Sequence, residues 1–419
     1  MMNEIRQVNL YAKLSYHLLL LAMVTIPFTH FFMLPIAIAL FLVFCIENNW
    51  SEKYNILKKS CLTVPFIIFS SLFLLYLIGI IYSKNMSVAL SDIECKLWFF
   101  VAPICIFPLI NKIRLMQWDW LLLIFCLSTL TFALINMVIS TVNFADTVDK
   151  TAFFYTNASH WQHPSYVAMY STFSFIIALY FLWIRKIDIP QITRIGLFLS
   201  VITLPVYIFL LESKAGLLVF GLLFLIIIGI MINIKRRRPL LTIGIYLMIG
   251  LVVVSFFKFD IIPYNRLKES VKQFENRNFA NPYDGTTQRW VIWKTSGAMC
   301  VENMPLGVGT GDVKDELCKQ YQAKGYTYIL ERQLNCHNQY LQTWLAIGIV
   351  GLIALLTMFV LPLIKSIQKK DLVMFFFVIL VTLNLLVESM LETRAGANFI
   401  PLMLTLLYLR MGTKQIEGK

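Results

Sequence analysis

The sequence predicts an all-α integral membrane protein with about 12 transmembrane helices and one large helical loop on its outer side. Three observations carry this. Apolar residues make up 58% of the 419-residue chain and charged residues only 14%, against roughly 25% charged in a soluble domain. Mean hydropathy is +0.72. The apolar residues fall in runs long enough to cross a bilayer, and the segment 258–338 is the one long interruption.

In chain order the spans are predicted at 14–29, 31–46, 62–82, 97–110, 120–139, 166–184, 195–211, 215–234, 239–257, 339–363, 372–387 and 398–411. No small-residue cleavage site follows the first run, so it reads as a retained helix rather than a signal peptide. This divides the chain into an N-terminal bundle (1–257), a loop domain (258–338) and C-terminal helices (339–419). Loop charge sets the orientation. With the N-terminus inside, the inner segments hold about 20 Lys and Arg, including Lys53, Arg185 and Lys235-Arg236-Arg237-Arg238, and the short outer loops about 5. Long loops are not counted by this rule. Both termini are therefore expected in the cytoplasm, with 258–338 outside.

Two outer segments are more than turns. Residues 140–165 carry Asp146, Asp149, His160 and His163. Within 258–338, Thr286 to Val301 reads as an amphipathic helix with Trp290, Ile292 and Trp293 on its apolar side and Thr286 or Thr287 as its cap. A Pro305-Leu306-Gly307-Val308-Gly309-Thr310-Gly311-Asp312 turn follows, then a polar helix from Val313 to Lys324.

The net charge of +13 sits in loops between apolar runs, with no basic helix face or zinc motif, so a nucleic-acid binder is excluded. The eight cysteines contain no CxxC pair. Cys300, Cys318 and Cys336 share the long loop and leave room for one disulfide, with Cys318–Cys336 the first pairing to consider.

Candidate chemistry gathers at the outer helix ends. His337 lies in Asn335-Cys336-His337-Asn338-Gln339-Tyr340, where the loop re-enters the membrane, and histidine alone titrates near neutral pH unperturbed. Two outer turns repeat a pattern of acid, hydroxyl, base, Ala and Gly: Glu212-Ser213-Lys214-Ala215-Gly216 and Glu392-Thr393-Arg394-Ala395-Gly396. They read either as snorkelling anchors or as substrate ligands, and Glu388 shares that ambiguity. Arg289 is either a surface ion pair or a bidentate phosphate ligand. Gly307, Gly309 and Gly311 are a turn rather than a phosphate loop, because no Gly-Lys-Ser/Thr follows. His160-Trp161-Gln162-His163 lacks a third metal ligand and reads as a polar interfacial turn. Cations and a base on a lipid-solvated scaffold suit a substrate with an anionic head and a greasy tail.

These segments resemble the O-antigen ligase and polymerase superfamily of bacterial inner membranes. The resemblance rests on Ser213-Lys214-Ala215-Gly216, Arg289-Trp290, Pro305-Leu306-Gly307-Val308-Gly309, His337-Asn338-Gln339-Tyr340-Leu341-Gln342 and Gly348-Ile349-Val350-Gly351-Leu352, with His163-Pro164-Ser165-Tyr166 as a looser element. It implies a GT-C-like glycosyltransferase of the inner membrane, with its active site facing the periplasm and no nucleotide, cofactor or essential metal. The donor implied is an undecaprenyl-diphosphate-linked glycan and the acceptor lipid A-core. By that likeness His337 is the catalytic base, Arg289 and Lys214 hold the diphosphate, and Arg394, Glu388 and Asn338 complete the substrate site. Many ligases carry arginine where this chain has Lys214, and Arg394 is the residue that would compensate. A polymerase or protein O-glycan ligase of the same superfamily shares the donor and differs in acceptor. A transporter of lipid-linked sugars is the reading from another class, and it needs no base at His337.

Overall fold

The structure, a computed structural model, describes residues 2–47, 50–58, 60–236 and 285–417. The predicted span 239–257, residues 258–284 of the loop and the pair Arg237–Arg238 lie outside the described residues. Within them every regular element is helical. Among the described residues five helices are long and apolar enough to cross a membrane, or six if the bent pair Met33–Ile46 and Trp50–Leu57 counts as one. The chain is a multi-pass membrane protein.

The bundle opens with α1 (Met2–Thr25), α2 (Met33–Ile46), α3 (Trp50–Leu57), α4 (Ser60–Ile80), α5 (Met86–Cys95) and α6 (Trp98–Ile106). It continues with α7 (Leu115–Thr147), α8 (Pro164–Leu179), α9 (Gln191–Leu210) and α10 (Lys214–Arg236). After the undescribed stretch come α11 (Gly285–Glu302), α12 (Val313–Ala323), α13 (Thr327–Glu331), α14 (Gln339–Gln368), α15 (Leu372–Val387) and α16 (Arg394–Glu417). The two helices expected within the loop are thus present as α11 and α12.

The predicted count of twelve is met only in part. The expected span 97–110 is the nine-residue α6 followed by a 3-10 turn, Phe107–Leu109, because Pro103 and Pro108 interrupt the hydrogen-bond ladder. The short α15, sixteen residues, reaches only about 24 Å at 1.5 Å per residue. In contrast α7 has 33 residues, about 50 Å of helix against a hydrocarbon core of about 30 Å. Its last turns therefore stand proud of the bundle, where the 150–158 turns pack beneath them.

The expected continuous helix at 339–363 is broken. Ile347 (φ −129°, ψ 22°) and Gly348 (φ 72°, ψ −170°) leave helical geometry inside α14. Within a membrane protein, backbone groups freed by such a break must find partners in the protein. The Pro305–Gly311 turn supplies them: the N–H of Val308 donates to the Leu345 carbonyl (2.8 Å), that of Gly309 to Ala346 (3.0 Å), and Ile349 N–H donates to Pro305 (3.1 Å). A Cβ on Gly348 would lie 1.8 Å from the Pro305 oxygen, so the approach requires glycine. The same turn is strapped to the end of α4. Thr310 Oγ1 donates to the Tyr76 carbonyl (2.7 Å), and the Asp312 carboxylate accepts from the backbone N–H of Lys84 and of Asn85, each at 2.7 Å.

At the centre stands α16, whose residues from Ala397 to Met411 are buried on all sides. A helix that is apolar all round belongs inside. It carries Arg410 into a buried ionic knot: Nε to Asp119 (2.7 Å), Nη1 to Asp371 (3.1 Å) and Nη2 to the Tyr180 hydroxyl (3.1 Å). Arg185 meets the other Asp119 oxygen at 2.6 Å. Asp371 and Glu388 flank α15 at opposite ends, so this knot lies a full helix length from Glu388.

Cys300, Cys318 and Cys336 are all free thiols, so the Cys318–Cys336 pairing that the sequence left open is not formed. Cys336 is fully buried, and Cys300 Sγ faces the Leu341 carbonyl at 3.6 Å.

Candidate active site at the helix ends

The ends of α1, α4, α7, α9 and α15 meet the beginnings of α5, α8, α10, α14 and α16 at one face of the bundle. Cross-links there include Gln162 Nε2 to the Ile26 carbonyl (2.9 Å), Tyr207 hydroxyl to Ala158 (2.7 Å) and Arg394 to Glu94 (2.6 Å). The face draws Arg289, His337, Glu388 and Arg394 together from distant parts of the sequence.

His337 immediately precedes the cap of α14. Asn338 Oδ1 accepts from the N–H of Leu341 (3.1 Å), an ordinary side-chain N-cap. The Asn338 N–H donates to Ser389 Oγ (3.1 Å). Asn338 therefore fixes the backbone beside His337. His337 itself sits at φ +43°, a conformation non-glycine residues adopt at a cost. It is pinned there on both sides: its N–H donates to Asn335 Oδ1 (3.0 Å), and its carbonyl accepts from Trp293 Nε1 (3.2 Å). Trp293 comes from α11, so the loop helix orients the histidine.

The ring's Nδ1 lies 2.8 Å from Glu388 Oε1. Glu388 follows the last residue of α15, and its own N–H closes that helix on the Asn384 carbonyl (3.0 Å). Its second oxygen accepts from Arg289 Nη2 at 3.3 Å, while Arg289 Nε donates to the Val387 carbonyl (3.1 Å). Burial alone would raise the Glu388 carboxyl, but the His337 hydrogen bond and the charges of His337, Arg289 and His163 outweigh it and hold it below the usual carboxylate value. Glu388 is thus ionised at neutral pH, and it favours the His337 tautomer with the proton on Nδ1 and a bare lone pair on Nε2.

His163 completes this side. It caps α8, its Nδ1 accepting from Ser165 N–H (3.3 Å) with Pro164 at the first helical position. Its pKa is lowered, first by burial and then by His337 and Arg289, against the opposing pull of Glu388. In the sequence His163 reads as part of an interfacial turn and of the looser motif, with no signal that it would stand beside His337 and Glu388.

A second group of charges lies beside the first. Gln339 bridges them: its Oε1 accepts from Leu391 N–H (2.7 Å) and its Nε2 donates to Glu392 Oε1 (3.0 Å). The other Glu392 oxygen pairs with Lys96 at 3.3 Å, and Lys96 also bonds Asp92. The Lys96 side chain is wholly buried, although the sequence counted it among loop cations. Two carboxylates share one lysine. Burial, with Glu392 adding to it, pushes Asp92 up to about 7 despite Lys96. Lys96 is held well above its ordinary value by Asp92 and Glu392, which overcome its burial.

A cavity of about 680 Å³ opens here, lined among others by His337, Asn335, Asp92, Glu392, Arg394 and Lys314. His337 Nε2 has no partner among the described residues. Both pentapeptides place their cation as the first residue of a helix, Lys214 of α10 and Arg394 of α16. The helix dipole disfavours a cation there, so the two positions break the same local rule. Arg394 lines the cavity; Lys214 does not. Lys214 lies instead beside Ser213, whose Oγ is 3.5 Å from that of Ser165, two residues from His163. Among the described residues no three His, Cys, Asp or Glu side chains are grouped to hold a metal.

Comparison with known proteins gives two likenesses. A protein of Haemophilus influenzae described as uncharacterized is 23% identical over 214 residues, 51% of this chain and 52% of that protein. The chain thus matches about half the length of that curated relative. The family model described as O-antigen ligase matches residues 197–356, a stretch that runs from α9 through α14 and contains Lys214, Arg289 and His337. That segment, with the motifs it carries, is similar to the O-antigen ligase family.

Proposed function

We propose that the protein is an O-antigen ligase, transferring a polysaccharide from undecaprenyl diphosphate to a sugar hydroxyl of lipid A-core. The His337–Glu388 pair carries the reading: an imidazole with its Nδ1 bound to an ionised carboxylate and its Nε2 unpartnered, on the wall of a large polar cavity. The acceptor oxygen attacks the anomeric carbon as its proton passes to Nε2. The bond from that carbon to the diphosphate oxygen breaks, and undecaprenyl diphosphate leaves with the electron pair. Water later takes the proton from His337. General-base help of this kind contributes about 10² to 10⁴ in rate, and Glu388 steadies the imidazolium as it forms.

The diphosphate needs charge neutralisation more than an acid. Arg289 keeps one guanidinium nitrogen unused by its bonds to Val387 and Glu388, which leaves it a donor for a phosphate oxygen. Lys214 adds a cation at a helix N-terminus, where backbone N–H groups also favour anions. Arg394 meets substrate at the cavity wall. The site faces the periplasm in an inner-membrane bundle of GT-C-like, approximately twelve-span topology, with both termini cytoplasmic.

The test compares wild type, a deletion and His337→Ala by surface lipopolysaccharide gels and by assay of carrier-linked glycans. Ligase activity predicts that long chains vanish from the core in both mutants and accumulate on the carrier. Single repeats still reaching the core would make the protein a polymerase instead. An unchanged gel in the deletion would remove both readings, and loss confined to the deletion would retire His337.

A further inference from the structure

The cavity beside His337 has a wall whose charge does not suit a diphosphate. Its volume, about 680 Å³, falls within the roughly 300–1,000 Å³ that small-molecule sites occupy, so a short stretch of glycan fits. Its inner wall carries Asp92 and Glu392, whose side chains are 13% and 16% exposed and share one cation, the buried Lys96, with Gln339 Nε2 also donating to Glu392. With Arg394 answered by Glu94, this inner wall is at most singly negative, and less so where Asp92 takes a proton. Diphosphate held there would face like charge in a partly dehydrated site, where unit charges about 4 Å apart repel by several kcal/mol. A hydroxyl-rich neutral ring has the opposite preference, because a carboxylate is purely a hydrogen-bond acceptor. Arg289 is not on this wall.

The cavity mouth differs from its depth. Lys314, in the first turn of α12, lines it, is exposed and has no ion-pair partner among the described residues. Arg394, the other cation on the wall, is answered by Glu94. A lysine left unpaired at the mouth of this cavity can pair with a negative substituent on a sugar held inside it.

We propose that this cavity is the acceptor-sugar subsite, in which Asp92 and Glu392 accept hydrogen bonds from ring hydroxyls while Lys314 pairs with a phosphate or carboxylate substituent of the acceptor. The donor approaches from the Arg289 and Lys214 side, and His337 stands between the two substrates. This rests on the ligase reading above and adds to it the location and chemistry of the acceptor.

The experiment uses purified full-length protein in proteoliposomes, with carrier-linked glycan as donor and lipid A-core as acceptor, each titrated with the other saturating. Lys314→Ala, at an exposed position, should raise the acceptor KM about tenfold, the order expected for a lost charge-assisted contact, with donor KM unchanged. Acceptor stripped of phosphate should bring wild type and variant together if phosphate is the partner; acceptor with amidated carboxyls should do so if carboxylate is. Asp92→Asn should raise the acceptor KM with every acceptor form. A raised donor KM in Lys314→Ala, a fall in kcat alone, or unchanged kinetics would each overturn the assignment. Wild-type protein that forms no product would instead remove the ligase reading, and the subsite with it.

Discussion

The Glu388 carboxylate lies 2.8 Å from Nδ1 of His337, and the two residues reach that distance from opposite directions of the chain. Glu388 ends one helix and His337 adjoins the cap of the preceding one, so a single helix pair, α14 and α15, sets the geometry. Glu388→Gln keeps a carbonyl oxygen able to accept from Nδ1–H and removes only the charge. The expected result is a fall in kcat of about ten- to a hundredfold, less than for His337→Ala, which forfeits the roughly 10² to 10⁴ of general-base catalysis. Steady-state transfer assays on the two variants check it. Equal rates for Glu388→Gln and wild type would leave Glu388 without a role in the proton transfer.

Arg289 uses two directions of its fork within the protein, on Val387 and Glu388. Lysine keeps the charge but cannot hold both contacts and still face a phosphate. Arg289→Lys should therefore raise donor KM by about tenfold or more, with acceptor KM unchanged. Full donor affinity in that variant would show that charge alone suffices there.

Much of this face was legible in the sequence because its residues sit in polar breaks between apolar runs. His337, Arg289, Glu388 and Arg394 stood out for that reason, as did the helices α11 and α12. What could not be read was pairing. Glu388 was an isolated carboxylate until α15 carried it beside His337, and Lys96 looked like a loop cation because its partners Asp92 and Glu392 are four and 296 residues away. Asp119 and Arg410 each lie within or beside an apolar run, where a single charge gives no hint of its partner. The break at Ile347 was hidden because Gly348 and Gly351 read as ordinary small residues of a membrane helix. A positive φ leaves no periodicity to detect.

The strap across that break gives a stability prediction with its own control. Gly348 has φ +72°, and a Cβ there meets the Pro305 carbonyl. Gly348→Ala should destabilise the protein by at least about 1–3 kcal/mol, the cost of forcing a side chain into a sparsely populated conformation. Gly297, inside α11, has nothing within 4 Å of an added Cβ, and Gly297→Ala should be neutral or stabilising by roughly 0.5–1 kcal/mol. Thermal melts in detergent, followed by tryptophan fluorescence, separate the two. Equal melting temperatures would mean that the α14 break does not depend on glycine.

Asp92 makes stability depend on pH near neutrality. Its folded pKa, about 7, exceeds the ordinary aspartate value of about 3.9, so the folded state binds the extra proton between those limits. The resulting contribution is fully present below about pH 3.9 and is lost progressively as pH rises to about 7. Asn mimics the protonated acid. The melting temperature of Asp92→Asn relative to wild type should climb across that interval and level off above it. A constant difference from pH 5 to 8 would mean that Asp92 stays ionised beside Lys96.

The knot around Arg410 lies at the far end of α15 from Glu388, which separates its contribution from catalysis. Asp119 and Asp371 are 0% and 1% exposed and both bond the Arg410 guanidinium. Among the described residues, Arg410→Leu would leave Lys414 at 4.0 Å as the one cation near Asp371, which also accepts from Met374 N–H, and Arg185 as the one cation on Asp119. Removing one partner of a buried pair costs about 3–5 kcal/mol, because the remaining charge stays buried. Replacing all three charged residues with apolar ones of similar size should recover much of that loss, since the cations then left without a partner, Arg185 and Lys414, are 23% and 37% exposed and keep access to solvent. The expected pattern is a low melting temperature and low membrane abundance for Arg410→Leu, partial rescue in the triple variant, and wild-type kcat per folded molecule in both. A fall in kcat per folded molecule would instead tie this end of the bundle to turnover, through the α15 and α16 helices that join it to Glu388 and Arg394.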